Sequence, residues 1–261
     1  KFRNYQGIGD NHHLYLNRFP AATEAWDFSQ FDLVISTSSA FVHGILTNGK
    51  PKHLCYVHSP ARYLWDRTHD VLQSASHGWL GPWKRWYLSR AFHRLRMWDT
   101  EAADRPDVLL APSSEVQRRM QLYWRRESEV ICPPIDDSWL QPRPAPAGAM
   151  EHPEYFLIVS SLVRYKRIDL AIQAANTLGV RLKIVGEGPD SARLKRLAGP
   201  TVEFYGWRKN DELRDLYANA KATIFPGEED FGLVPVESMA CGTPVIAYGK
   251  GGALETVIPG K

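Results

Sequence analysis

Glu229 and Glu237 have seven residues between them, and the chain joining them includes Phe231-Gly232-Leu233-Val234. A carboxylate accepts hydrogen bonds, so each suits a sugar hydroxyl. Gly232 has no side chain and lets the backbone come close to a ligand. The residues from 232 to 240 read as a helix. The first N–H groups of a helix have no intrahelical partner, and such a start suits a phosphate. The segment therefore predicts a sugar, a phosphate and a second sugar held in a row.

Three other places carry chemistry-bearing residues. Gly186-Glu187-Gly188 lies between a strand pattern and a helical one. It opens like a dinucleotide fingerprint, but Ser191 replaces the third glycine. Glu203 lies seventeen residues beyond Gly186, near where a ribose-binding acid would sit, so a nicotinamide oxidoreductase stays among the readings. His58 closes an apolar run, which puts it at the ligand edge of a parallel sheet. The competing reading is a hydrogen-bonded structural histidine. The third place is the stretch from Trp79 to Trp98. It sets Trp79, Trp83, Trp86, Tyr87, Phe92 and Trp98 among Lys84, Arg85, Arg90, Arg94 and Arg96. Such a helix can lie on an anionic membrane surface. Alternatively, it buries an aromatic face and solvates a basic one.

These residues need a frame. Apolar runs predict buried strands at 32–36, 53–58, 108–111 and 130–132, with helical patterns between them. Five prolines then fall between Pro133 and Pro146. Such a stretch is neither helix nor central strand, and 133–150 reads as a linker. The pattern resumes with strands at 155–159, 181–185, 202–205, 222–225 and 245–247. Helices are predicted at 167–178, 190–197, 211–218 and 232–240. Strict β/α alternation predicts doubly wound parallel sheets with the ligand at the carboxyl ends of the strands. The domains are then 1–132, the linker 133–150, and 151–261.

The chain has 261 residues, 44% hydrophobic and 23% charged, an ordinary globular composition. A net charge of +3 and no recognised nucleic-acid motif argue against a nucleic-acid partner. Cys55, Cys132 and Cys241 are odd in number and far apart, which fits a reducing compartment. No signal peptide or membrane span is visible in the sequence.

The run from Phe225 to Ala247, Phe-Pro-Gly-Glu-Glu-Asp-Phe-Gly-Leu-Val-Pro-Val-Glu-Ser-Met-Ala-Cys-Gly-Thr-Pro-Val-Ile-Ala, resembles the E-x7-E region of retaining family 4 glycosyltransferases. His58-Ser59-Pro60-Ala61-Arg62-Tyr63-Leu64-Trp65-Asp66 resembles a run found in its bacterial polysaccharide and O-antigen mannosyltransferases. The resemblance implies an α/β fold of the GT-B type, two doubly wound Rossmann-like domains with an interdomain cleft. By resemblance, Glu229 faces the donor sugar and Glu237 the ribose, with amides around Phe231, Gly232, Leu233 and Val234 on the phosphate. Lys166 matches the lysine that holds the nucleotide diphosphate. The family's arginine position is Ser161 here, with Arg164 in the same loop. Gly186-Glu187 lines the nucleotide-sugar pocket, Gly206-Trp207 lies near the base, and His58 lies near the reacting centre.

The implied activity is metal-independent, retaining hexosyl transfer, with His58, Lys166 and Glu229 as the catalytic residues. GDP-mannose is the implied donor, and a saccharide or lipid-linked saccharide the acceptor. No cofactor is implied beyond that co-substrate. No Asp-x-Asp triplet occurs, so no metal clamp is expected. The setting implied is cytoplasmic, at the inner face of the membrane. The family's Gly-rich loop and closing helices are not found in the sequence, so truncation at both ends is expected. The rival readings are an epimerase or phosphorylase on the same fold, and a non-catalytic membrane-associated binding module.

Overall fold

A computed structural model of the chain describes residues 12–76, 78–140 and 154–260. The chain divides into two compact units, Lys1–Cys132 and Pro133–Lys261.

The first unit carries strands β1 (Leu33–Ser38), β2 (Lys52–Val57), β3 (Val108–Ala111) and β4 (Glu129–Val130) in that order, all parallel. Its helices are α1 (Phe19–Glu24), α2 (Thr68–Ala75), α3 (Gly81–Ala102) and α4 (Ser114–Trp124). Ser113 caps α4 by accepting a hydrogen bond from the Val116 N–H at 3.1 Å. Cys55, Val57 and Leu109 of the sheet pack with Val116, Met120 and Trp124. A second cluster joins Leu64 and Ala75 to Leu88, Phe92 and Leu95 of α3. The expectation of a fully buried first strand is corrected. β1 alternates, with Val34, Ser36 and Ser38 buried and Leu33 and Ile35 exposed, because among the described residues only one of its faces is packed.

A polar knot sits inside this unit. Asp99 accepts hydrogen bonds from the indole N–H groups of Trp65 and Trp124, at 2.8 and 2.6 Å. The His43 ring lies 3.4 Å from the other carboxylate oxygen. Burial pushes the Asp99 carboxyl up to about 6 and the His43 imidazole down to about 4.

The second unit has a five-stranded parallel sheet in the order β7-β6-β5-β8-β9. The strands are β5 (Tyr155–Val159), β6 (Arg181–Val185), β7 (Val202–Gly206), β8 (Ala220–Phe225) and β9 (Val245–Ala247). The helices are α5 (Ile168–Leu178), α6 (Ser191–Leu197), α7 (Asn210–Ala218), α8 (Leu233–Ala240) and α9 (Ala253–Thr256). Two cores explain the unbroken apolar run of β5. One packs Ile158, Ile168, Ile172, Leu182, Ile184 and Leu194 together. The other joins Tyr155, Leu157 and Val185 to Tyr217 and Trp139. Trp139 is buried, and its ring meets Tyr217 edge-on at 5.8 Å. Residues 133–140 of the expected linker are thus part of the second unit, drawn in by the burial of that large indole. Residues 141–150 of the linker lie outside the described residues.

Candidate functional site

The chain leaves β5 towards β6 and β7, then returns to place β8 on the other side of β5. That reversal opens a crevice beyond the carboxyl ends of β5 and β8, the place where such sheets bind ligands. The loop after β5 brings Lys166 to it, and the loop after β8 brings Glu229. The two side chains form an ion pair across the crevice, each mostly shielded from solvent. The loops approach so closely that a Cβ at Gly227 would stand 2.9 Å from the Lys166 Cα. Gly227 is therefore what lets the two loops meet, a need that nothing local in the sequence signals. On the outer side, the Gly252 N–H donates to the Glu229 carbonyl at 2.9 Å.

The β6 and β7 loops complete one rim. The Leu162 N–H donates to the Glu187 carbonyl at 2.8 Å, and the Asp190 N–H to the Leu162 carbonyl at 2.9 Å. The Gly186 N–H donates to the Gly206 carbonyl at 2.8 Å. Gly186 has φ +125°, and a Cβ there would meet the Ser160 carbonyl oxygen at 1.9 Å. A glycine is required at that point. The Trp207 N–H lies 3.4 Å from the Glu187 carboxylate, to which it donates. The side chains of Ser161, Glu187 and Trp207 are exposed above this rim. The Arg164 side chain is 82% exposed, with its Nε 4.0 Å from the carboxylate of buried Asp190. Asp190 itself is gripped by Arg193 at 2.8 and 2.6 Å, which holds its carboxyl below the usual range.

Gly232, at φ +91°, is the N-cap of α8 and supplies no side-chain cap. Pro235 has no N–H, so the donors at this start are the amides of Gly232, Leu233 and Val234. One turn on, Glu237 is half-buried and accepts a hydrogen bond from the Tyr217 hydroxyl at 3.2 Å. Burial raises the Glu237 carboxyl above its ordinary range, and the tyrosine bond counters part of that. Behind it, the Ser238 hydroxyl donates to Thr223 at 2.8 Å, tying α8 to β8. Ser161, Arg164 and Lys166 follow β5, Gly186 and Glu187 follow β6, Trp207 follows β7, and Glu229 and Phe231 follow β8, so all leave the carboxyl ends of parallel strands. Among the described residues no group of three His, Cys, Asp or Glu side chains could hold a metal ion.

His58 belongs to the first unit. It is exposed, immediately after β2, with its ring 5.4 Å from that of Tyr56. Nearby, Arg62 and Asp66 form an ion pair at 3.0 Å. The aromatic stretch 79–98 differs from a helix with a buried aromatic face. Trp79 precedes the helix, α3 starts at Gly81 beside Pro82, and Trp83 and Trp86 point outward. The buried face is made by Leu88, Phe92 and Leu95 instead.

Residues 143–261 match the family described as glycosyl transferases group 1. That half of the chain belongs to the group 1 glycosyl transferases. A GDP-mannose-dependent alpha-mannosyltransferase of Mycobacterium tuberculosis is 33% identical over 184 residues, 67% of this chain and 45% of that protein. A glycogen synthase of the same species is 31% identical over 198 residues, 69% of this chain and 45% of that one. The chain thus spans less than half the length of these curated relatives. The solved structure of sucrose-phosphate synthase from Thermosynechococcus elongatus superposes with a TM-score of 0.65. It covers 97% of this chain and 64% of that one, at 20% identity. Likeness at that identity is likeness of fold, and the fold of this chain is GT-B, with α/β units built on parallel sheets.

Proposed function

We propose that this chain carries the donor site of a retaining hexosyltransferase. The enzyme moves a hexose from a nucleotide-diphosphate sugar to a hydroxyl of a saccharide or lipid-linked saccharide. The observation that carries the reading is the Lys166–Glu229 ion pair across the switch-point crevice, beside the side-chain-uncapped start of α8. The donor exchanges that internal pairing for its own. Its diphosphate takes the Lys166 ammonium and the amides of Gly232, Leu233 and Val234, while a sugar hydroxyl donates to Glu229. Glu237 accepts from the ribose. Gly186-Glu187 and Gly206-Trp207 bound the nucleotide, and Ser161 and Arg164 flank the phosphates. His58 is assigned to the donor sugar on the strength of resemblance.

In the reaction, the acceptor oxygen bonds to the anomeric carbon from the face that the diphosphate leaves. The bond from that carbon to the phosphate oxygen breaks, and the departing phosphate takes the acceptor proton. Configuration is retained. Charge develops on the leaving diphosphate, so preorganised positive groups there lower the barrier. Lys166 and the helix dipole supply that charge without a metal. GDP-mannose is the favoured donor because a GDP-mannose-dependent relative is among the similar proteins. The glycogen synthase relative supports a second reading, in which the hexose is glucose. Unpaired cysteines fit a cytoplasmic setting.

A thermal-shift panel of GDP-, UDP- and ADP-sugars tests this, with Lys166→Ala as the control. A donor present at a hundred times its Kd stabilises the native fold by about 2.7 kcal/mol. The native chain is expected to shift with one base, and the variant to melt cooperatively with that shift lost. Equal shifts in both proteins, or none in the native chain, would overturn the reading. Transfer to an acceptor hydroxyl, rather than epimer or sugar phosphate as product, separates it from an epimerase or a phosphorylase.

A further inference from the structure

α3 has two apolar stripes on opposite faces. Leu88, Phe92 and Leu95 face the core and are buried. Among the described residues nothing packs over the outer stripe: Trp83 is 71% exposed and Trp86 58%, with Trp79, just before the helix, 92% exposed. The Trp83 and Trp86 rings meet edge-on at 6.4 Å, and the Arg90 guanidinium lies 5.5 Å from the centre of the Trp86 ring. Scattered exposed apolar residues are ordinary, but a contiguous aromatic patch marks an interaction surface.

The charge around the patch says what it meets. No Asp or Glu occurs from Val71 to Trp98, whereas Lys84, Arg85, Arg90 and Arg94 are all exposed. The net charge of the whole chain is only +3, so this is a local concentration. Tryptophan prefers the membrane–water boundary, where its ring is apolar and its N–H stays wet. A helix face that combines tryptophan with lysine and arginine lies in the plane of an anionic membrane.

Behind the patch is a cavity of about 390 Å³ lined by Leu16, Val71, Leu88 and Phe92, with Tyr63 and exposed Lys84 also on its wall. Its volume falls in the range of small-molecule pockets, about 300–1,000 Å³. The Tyr63 hydroxyl is buried without a hydrogen-bond partner among the described residues. An apolar lining with a cation and an unmatched hydroxyl suits an acyl chain and its phosphate-bearing head. We infer that the amino-terminal half of α3, with the cavity beside it, is a docking surface for an anionic phospholipid leaflet.

Co-sedimentation with vesicles tests this independently of any donor chemistry. The chain is expected to pellet with mixed phosphatidylglycerol and phosphatidylcholine vesicles at low salt, and not with phosphatidylcholine alone. High salt releases it, because exposed charges are screened. Two double variants, Trp83→Ser with Trp86→Ser and Lys84→Glu with Arg85→Glu, are each expected to weaken binding about tenfold or more. All four residues are exposed, so circular dichroism of both variants should match the native chain. The inference is overturned if the native chain stays in the supernatant, pellets equally with neutral vesicles, or pellets undiminished in the variants. It is also overturned if gel filtration shows self-association that the tryptophan variant abolishes, since the patch then covers a second copy.

Discussion

The hydroxyl of Tyr217 ends 3.2 Å from the Glu237 carboxylate, and Tyr217 is itself buried. That bond sets which way a half-buried acid faces. Replacing Tyr217 by Phe leaves the ring packing and removes the donor. Stability is expected to fall by about 1 kcal/mol, and donor affinity by about three- to tenfold, as read by melting and by donor titration. The spacing of Glu229 and Glu237 makes those two residues legible in the sequence. Tyr217 was not legible, because it occupies an ordinary apolar position of α7, and nothing local says where its hydroxyl ends. The Asp99–His43 knot is equally silent in sequence, yet it makes a pH prediction. Asp99 titrates near 6 in the fold, above its ordinary value, so its contribution is full at low pH and fades as pH rises towards 6. His43 titrates near 4, below its ordinary value, so its contribution is full at neutral pH and fades as pH falls towards 4. The two slopes oppose each other, each at most about 1.4 kcal/mol per pH unit. Against the native chain, Asp99→Asn is expected to lose stability more steeply on acidification from pH ~6 to ~4. His43→Gln is expected to move the other way. Melting temperatures across that range check both.

At the scale of elements, the loops after β5, β6 and β7 depend on glycines whose need is set by neighbours distant in sequence. Gly186→Ala combines a positive φ with a Cβ 1.9 Å from the Ser160 carbonyl oxygen. It is expected to cost about 3 kcal/mol or more in chemical denaturation. Gly179, with φ +64° and nothing within 4 Å of an added Cβ, is the control. Gly179→Ala is expected to cost only about 1 kcal/mol. Among the strands of the second unit, β5 is legible as an unbroken apolar run because both its faces are packed, while Lys183 in β6, Glu203 in β7 and Lys221 in β8 interrupt theirs. Within the stretch expected as linker, the burial of Trp139 is silent in the sequence, because prolines dominate the local signal and its partner Tyr217 lies far along the chain. α3 was readable as amphipathic, but not which aromatic faces inward. Periodicity gives two apolar stripes, and only Phe92 among the aromatics from 79 to 92 is fully buried.

For the whole molecule, fold and family are shared with enzymes that bear different names, a mannosyltransferase and a glycogen synthase among them. The rim of the second unit offers a reason. The Leu162, Gly186 and Asp190 amides tie the three loops together entirely through carbonyl partners. Main-chain bonds are indifferent to the side chains of the residues that make them. The exposed side chains of Ser161 and Trp207 are thereby released from any duty to the framework, whereas the Glu187 carboxylate still accepts from the Trp207 N–H. Side chains can change at such positions without loosening the scaffold, so a lineage with this rim can alter its surface chemistry faster than its shape.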